Sequence, residues 1–252
     1  MLRDCVGEME MVTEAFPNAL VTGSAKRLGK LFALTLAERG FAILLHYDKS
    51  EAEARDTARE IKKKEVPVHL IRADLTIPGE IEKLFSEADS FASSLQVLIN
   101  SAAIMPHRKL QEYSAEEWDK TFNLNLRAPF LLTQQAVKRM KKGGVIINIS
   151  DAGAHKLWDG YPGYVLTKSA LEDLTRLMAK EYAPLVRVNA IAPGLVIPHE
   201  SLSSEKWNYL VDKLPLKKVT PERDIASALT FLLENESITG QTIVVDGGYS
   251  LL

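Results

Sequence analysis

The sequence predicts an α/β protein built as a single Rossmann-type doubly wound domain, a seven-stranded parallel sheet with helices on both faces. Three observations point there. Short apolar runs alternate with stretches of helical periodicity along the whole chain, the order that βαβ units require. The first run ends in a glycine-containing turn, Thr22-Gly23-Ser-Ala-Lys-Arg27-Leu-Gly29, that opens a helix. No Pro/Gly/Ser-rich linker or internal repeat divides the 252 residues, so one domain over 16–252 is expected behind a loose extension over 1–15.

Residues 18–22 form the first strand, ended by Gly23. A helix over 28–39 follows, with Leu28, Leu31, Phe32 and Leu36 on its apolar face and Gly40 as its stop. The run 41–47 suits a strand buried on both faces. Ser50 is placed to cap a charged helix over 51–64, and Lys62-Lys63-Lys64 is its solvated face. A third strand covers 66–71 despite Pro67, then come a helix over 78–91 and a fourth strand over 95–99.

Ser114 and Glu117 form a capping box for a long helical region to Lys142, which Pro129 is expected to kink and Gly143-Gly144 to end. The fifth strand is 145–149. A helix through Tyr164 runs to about Ala183, where Pro184 stops it, and the sixth strand covers 186–191. Helices over 201–214 and 221–233 and a last strand over 241–245 complete the pattern. Polar sequence over 195–214 reads as a substrate lid, since long insertions beyond a strand's carboxyl end are often functional.

Composition excludes several classes. A net charge of -2 argues against a nucleic-acid surface, and no apolar run approaches the ~20 residues of a membrane span. Cys5 is the single cysteine, so no internal disulfide can form. The first residues lack the basic and apolar regions of a signal peptide, which implies a soluble, cytoplasmic protein. His107, His155 and His199 show no ligand spacing, and no metal is expected.

The chemistry gathers between Ser150 and Lys168. Tyr164 and Lys168 are four residues apart, which on a helix puts a phenol and an ammonium on one face. Asp151 stands at the tip of the fifth strand. A phenol ionises near pH 10 (roughly), and the adjacent ammonium is expected to lower that value. Tyr161 has Val165, not lysine, as its helical partner. An ionised Asp151 can only accept hydrogen bonds; with its pKa raised by burial it can donate, which suits reduction of a C=N bond. Ser150, by strand alternation, should point the other way.

The glycine turn and the helix it opens suit a pyrophosphate, with a guanidinium from Arg27 where another glycine is usual. At the end of the second strand, Asp48 suits a free ribose hydroxyl, whereas Lys26, Arg27, Lys49 and Ser50 suit a 2′-phosphate. The balance favours NADP.

These pieces, with Ala73-Asp74-Leu75, Asn100-Ser101-Ala102, Asn125, Pro193-Gly194 and Asp246-Gly-Gly248, make the chain resemble the short-chain dehydrogenase/reductase family from about Asn18 to Leu252. Arg27 in the glycine loop, Asp151 in the usual serine position, His46-Tyr47 and Lys49-Ser50 are similar to its pteridine reductase branch. The resemblance implies NADPH held by Gly23, Ser24, Lys26, Arg27, Leu28, His46, Tyr47, Lys49 and Ser50, and by Asp74, Leu75, Asn100, Ser101, Ala102, Tyr164, Lys168, Pro193, Gly194 and Leu195. It implies catalysis by Asp151, Tyr164 as proton donor, Lys168, and Asn125 through a water. Substrate contacts are expected from Arg27, Met105, Asp151, Tyr164 and Trp207; Trp158 also lies near the pocket by sequence. The family further implies a homotetramer built partly from the helices around Glu116–Met140 and Tyr164–Ala183.

The branch places a small hydroxylic residue and then an aromatic after Asn100-Ser101-Ala102, where this chain has Ala103-Ile104-Met105. Two enzyme readings therefore stand: an NADPH-dependent reductase of a pterin-like C=N bond, and a general carbonyl or alcohol oxidoreductase. A cofactor-binding sensor without chemistry is the reading of another class, and the presence of Tyr164, Lys168 and Asn125 together argues against it.

Overall fold

The computed structural model describes residues 16–154, 156–199 and 202–252; the expected extension over 1–15, His155 and residues 200–201 lie outside the described residues. The strands are β1 Asn18–Val21, β2 Ala42–Tyr47, β3 Val68–Arg72, β4 Leu95–Asn100, β5 Met140–Ile149, β6 Val186–Pro193 and β7 Thr242–Val245. They pair in parallel as one seven-stranded sheet in the order β3-β2-β1-β4-β5-β6-β7. The helices among the described residues are α1 Arg27–Glu38, α2 Glu51–Lys62, α3 Pro78–Phe91, α4 Ala115–Phe122, α5 Ala128–Val137, α6 Pro162–Tyr182, α7 Ser204–Lys213 and α8 Glu222–Glu234.

Side chains one residue apart on a strand leave opposite faces of the sheet. Val21, Ile43, Leu45, Ile99 and Ile147 accordingly pack with Phe32 and Leu36 of α1, Ile61 of α2 and Leu229 of α8. Their neighbours Leu20, Leu44, Leu98 and Ile146 pack with Phe85 of α3, Leu132 of α5 and Met178 of α6. Each such buried Leu, Ile or Phe contributes about 1.5–3 kcal/mol relative to an exposed one. The chain winds outward from β1 to β3 and then outward on the other side from β4 to β7. The order thus reverses between β1 and β4, and ligands of open α/β sheets bind outside the carboxyl ends of strands at such a point.

Three of the differences from the sequence expectation have a local physical cause. First, β3 begins at Val68, because Pro67 has no N–H for the ladder and only its carbonyl takes part, accepting from Ile43 at 2.9 Å. Second, the long helical region ends at Val137 rather than Lys142, and it is broken before Pro129 rather than kinked there. Asn123–Arg127 form a π turn in which the Ala128 N–H reaches back to Asn123. Pro129 cannot donate to Asn125 as an α-helix would require, and the wider turn absorbs the missing bond. Third, β5 starts at Met140. Met140 pairs with Leu95 and Val145 with Val97, so residues 141–144 bulge outward, with Gly143 at φ +95. Gly143 and Gly144 therefore serve a strand bulge and not a helix stop.

The capping box holds: the Ser114 hydroxyl accepts from Glu117 N at 3.1 Å. The helix expected from 201 begins at Ser204, where the Ser203 hydroxyl accepts from Lys206 N at 3.2 Å. No helix among the described residues is long and apolar enough to cross a membrane.

Candidate active site

The carboxyl ends of β1, β2 and β4 are joined by hydrogen bonds that shape the glycine turn. Gly23 sits at φ +63, and a Cβ there would lie 2.9 Å from the Cα of Ala102. Only glycine lets the turn close this far onto the Asn100-Ser101-Ala102 loop. A Cβ at Gly29 would lie 2.1 Å from the Gly23 oxygen, so α1 starts hard against the turn. The Thr22 hydroxyl accepts N–H bonds from Ser101 at 2.9 Å and Ala102 at 3.1 Å, and donates to Ile99 O at 3.2 Å.

His46 braces the same turn from below. The Gly23 N–H donates to its Nδ1 at 3.0 Å, and its Nε2 lies 3.0 Å from the carbonyl oxygen of Ala73. Burial pulls its pKa from 6.5 down to about 4, so the ring is neutral, accepts at Nδ1 and donates at Nε2. His46 was expected as a cofactor contact; its ring is buried, with both nitrogens engaged in shaping the turn. The buried hydroxyl of Ser24 also turns inward, donating to Val21 O at 2.8 Å. Tyr47 beside His46 is buried as well.

Arg27 takes a different direction from the one expected. It is a non-glycine residue at φ +55, and its guanidinium donates to Ile197 O at 2.9 Å and Pro198 O at 3.0 Å. The sequence reading assigned this group to a phosphate and a substrate; here it grips the segment that follows β6. Lys26 stands 4.0 Å from the Glu53 carboxylate, and Lys49 is exposed. Ser50 occupies the amino-cap position of α2, but its hydroxyl makes no capping bond.

Asp74 accepts from the Thr76 hydroxyl at 2.7 Å and the Thr76 N–H at 2.9 Å, and the hydroxyl bond is the main cause holding its carboxyl below the usual range. Leu75 is buried behind it and Leu28 packs partly buried against the core. Asn100 Nδ2 donates to Asn148 Oδ1 at 2.8 Å, and its own Oδ1 is buried without a partner among the described residues. Pro193 is buried, and a Cβ on Gly194 would lie 2.6 Å from the Asp246 Cα, a close passage that glycine permits. Leu195, half-buried, ends this group by accepting from Thr220 N at 2.9 Å.

Asp151, Tyr164 and Lys168 come together beyond the end of β5. Tyr164 Oη donates to Asp151 Oδ2 at 2.8 Å, and the Gly153 N–H donates to Asp151 Oδ1 at 2.7 Å. One turn along α6, Lys168 Nζ lies 5.6 Å from the Tyr164 ring centroid and donates to Ile149 O at 2.6 Å. Ser150 does point away, donating to Glu172 Oε1 at 2.6 Å.

The electrostatics reverse one expectation. The Tyr164 phenol is pushed well above its usual pKa, first by burial and then by the Asp151 charge and hydrogen bond, where the sequence led us to expect a lowered value. Lys168 is itself drawn down to about 8 by burial, against the pull of Asp151. Burial raises Asp151, opposed by its bonds from Gly153 and Tyr164 and by the Lys168 charge. The resting site therefore stores its proton on the phenol.

Asn125 lies in the π turn and is 1% exposed. Its side chain exchanges two bonds with the Ile104 peptide and donates to Thr167 Oγ1 at 3.2 Å. It ties the loop after β4 to α6, a role the sequence reading missed. The wall beside the phenol is aromatic. Trp158 stacks on Tyr164 with ring centroids 6.4 Å apart and planes at 12°, and meets Tyr249 at 5.8 Å and Tyr161 at 6.0 Å. A Cβ on Gly153 would sit 2.0 Å from the indole, so glycine makes room for it. Lys156 fastens Tyr249 by donating to its carbonyl at 3.0 Å. Trp207 lies half-buried on α7 and is not a member of this ring cluster; Met105 is half-buried in the loop after β4. Among the described residues, no group of three or more His, Cys, Asp or Glu is placed to hold a metal.

The chain is similar to known reductases over nearly its whole length. Residues 23–250 match a family model described as enoyl-(acyl carrier protein) reductase. A 3-oxoacyl-(acyl-carrier-protein) reductase of Staphylococcus aureus is 34% identical over 238 residues, covering 92% of this chain and 97% of that protein. The crystal structure of FolM alternative dihydrofolate reductase 1 from Brucella canis, complexed with NADP, superposes with a TM-score of 0.88 at 33% identity over 96% of each chain. The promiscuous reductase LugOII, which catalyses keto-reduction at C1 in lugdunomycin biosynthesis, superposes with a TM-score of 0.87 at 33% identity, over 94% of this chain and 98% of that one.

Proposed function

The chain belongs to the short-chain dehydrogenase/reductase family, and on that premise we propose that it is an NADPH-dependent reductase of a cyclic C=N bond of the pterin or dihydrofolate type. The observation that carries this reading is the 2.8 Å bond from Tyr164 Oη to Asp151 Oδ2. A carboxylate in that place cannot donate to a ketone oxygen, but it can accept from ring N–H groups and orient them. The NADP-bound FolM structure, similar over nearly the whole chain, supports the same reading.

The residues present fit a nicotinamide dinucleotide. The turn at Gly23 has no room for a side chain, α1 has no acid in its first turn, and the hydroxyl of Ser50 is uncommitted at the amino end of α2. Amide N–H groups of the turn and of α1 would hold the pyrophosphate. When bound, the nicotinamide supplies the hydride. Tyr164 Oη holds the proton for the substrate nitrogen, and Asp151 Oδ2, which accepts the phenol's bond at rest, is the group through which that proton is replaced. Lys168 sets the charge behind the phenol, and Asn125 fixes the loop that carries Ile104 and Met105. The segment over 195–214 serves as the lid.

Two observations favour the carbonyl reading: Met105 stands where the pteridine reductase branch has an aromatic, and several similar proteins reduce ketones. An NADPH-oxidation assay over dihydropterin, dihydrofolate, cyclic imine and ketone substrates decides between them. Turnover of ketones alone overturns the C=N assignment, and tight NADPH binding without any turnover overturns catalysis itself. We assign the enzyme to the cytoplasm and to a homotetramer. Phe130 on α5 and Leu177 on α6 stay 40% and 66% exposed, which supports cover by a second copy.

A further inference from the structure

We propose that Arg72 is the residue that selects NADPH over NADH, an inference that rests on the NADPH reading above. Four groups could meet a 2′-phosphate by sequence, and the structure alters that set. The guanidinium of Arg27 is turned onto the carbonyls of Ile197 and Pro198, and Lys26 faces the Glu53 carboxylate. What remains at the end of β2 is Lys49 and the Ser50 hydroxyl.

Arg72 supplies the missing charge from the next strand. It is the last residue of β3, in register with Tyr47, the last residue of β2. Its exposed side chain crosses to the β2–α2 loop, and Nε donates to the carbonyl oxygen of Asp48 at 3.2 Å. That bond ties the guanidinium to the loop that carries Lys49 and Ser50, the next two residues. It uses one of five N–H donors, and the two terminal amino groups have no partner among the described residues. Surface arginines elsewhere on the molecule, such as Arg39, Arg55 and Arg139, rest on carboxylates. An arginine anchored by Nε with its fork open suits a bidentate bond to a phosphate, which a ribose hydroxyl cannot match. Asp48, whose carboxylate would favour NADH, is held from the same side through its own main chain. Nothing in the local sequence marks Arg72, because its position opposite Asp48 arises only from the β2–β3 register.

The test measures dissociation constants of NADPH and NADH for the full chain by cofactor fluorescence, with 2′,5′-ADP and 5′-AMP as competitors. Arg72→Gln is expected to weaken NADPH and 2′,5′-ADP by about tenfold or more, the usual size of a charge-assisted bond, and to leave NADH and 5′-AMP within about twofold. Arg72→Lys, which keeps the charge but not the fork, is expected to fall between. If Arg72→Gln weakens both nicotinamides equally, Arg72 only props the Asp48 loop and the proposal fails. It fails also if neither constant moves. A wild-type chain that prefers NADH overturns the cofactor reading itself, which separates that failure from the failure of Arg72.

Discussion

Asn125 and Ile104 exchange two hydrogen bonds, Nδ2 to the Ile104 oxygen at 2.8 Å and the Ile104 N–H to Oδ1 at 2.9 Å. The amide side chain thereby pairs with a peptide as a neighbouring strand would. Asn125→Ala orphans both peptide groups, which is expected to destabilise the chain by about 2 kcal/mol and lower Tm by about 4–8 °C. Asn125→Asp keeps only the acceptor. Both variants should lower kcat more than they raise the Kd of NADPH, since the loop they release carries Met105. Calorimetry with single-turnover kinetics checks this, and unchanged kcat in both variants counts against the role.

Tyr164→Phe removes the stored proton and the donor to Asp151. Turnover of any accepted substrate should fall by about 10²–10⁴-fold, with NADPH binding retained. Asp151→Ser tests the C=N assignment on the other side of that bond. Imine reduction should fall while ketone reduction holds or rises, because a hydroxyl can donate to a carbonyl oxygen. Full retention of imine reduction sinks the role given to Asp151.

Lys168 is expected to give the pH dependence of the reaction its alkaline limb. Its pKa lies near 8 in the folded chain, so the ammonium is lost as pH rises through that value. The rate kcat/KM is expected to decline above about pH 8, and Lys168→Arg, which stays protonated, should move the decline upward. Stability follows the opposite sign. The folded pKa lies below the unfolded one, so the unfolded chain binds the extra proton between about 8 and 10.5, and stability rises with pH across that window. Chemical denaturation of wild type and Lys168→Met at several pH values measures it; the two curves should approach each other as pH rises.

His46 governs acid sensitivity. A pKa drawn from 6.5 down to about 4 corresponds to about 3 kcal/mol. The unfolded chain takes up the proton between those two values and the folded chain does not, so stability is lost as pH falls from 6.5 toward 4. His46→Gln should flatten that slope in urea titrations. A slope identical to wild type would mean that the turn opens and lets the imidazolium form.

Much of this architecture was legible because local sequence and burial agree. Runs such as Phe41 to Tyr47 have one reading in a parallel sheet, and Tyr164, Lys168 and Asp151 share a site because a strand tip and one helical turn bring them there. The π turn at Asn123–Arg127 was not legible, since the effect of Pro129 falls on residues before it. The bulge over 141–144 follows from pairing with β4, which no local pattern encodes. The side-chain directions were the least readable. Arg27 meets Ile197 and Pro198 across some 170 residues of chain, and Trp158 outranks Trp207 beside the phenol only because Gly153 leaves it space.

The two bonds of Arg27 make one cation answerable to two clients. Its terminal nitrogens serve Ile197 and Pro198, so the first residue of α1 clasps the segment after β6. That segment is moored at its root to the glycine turn, and a change at either place is felt at the other.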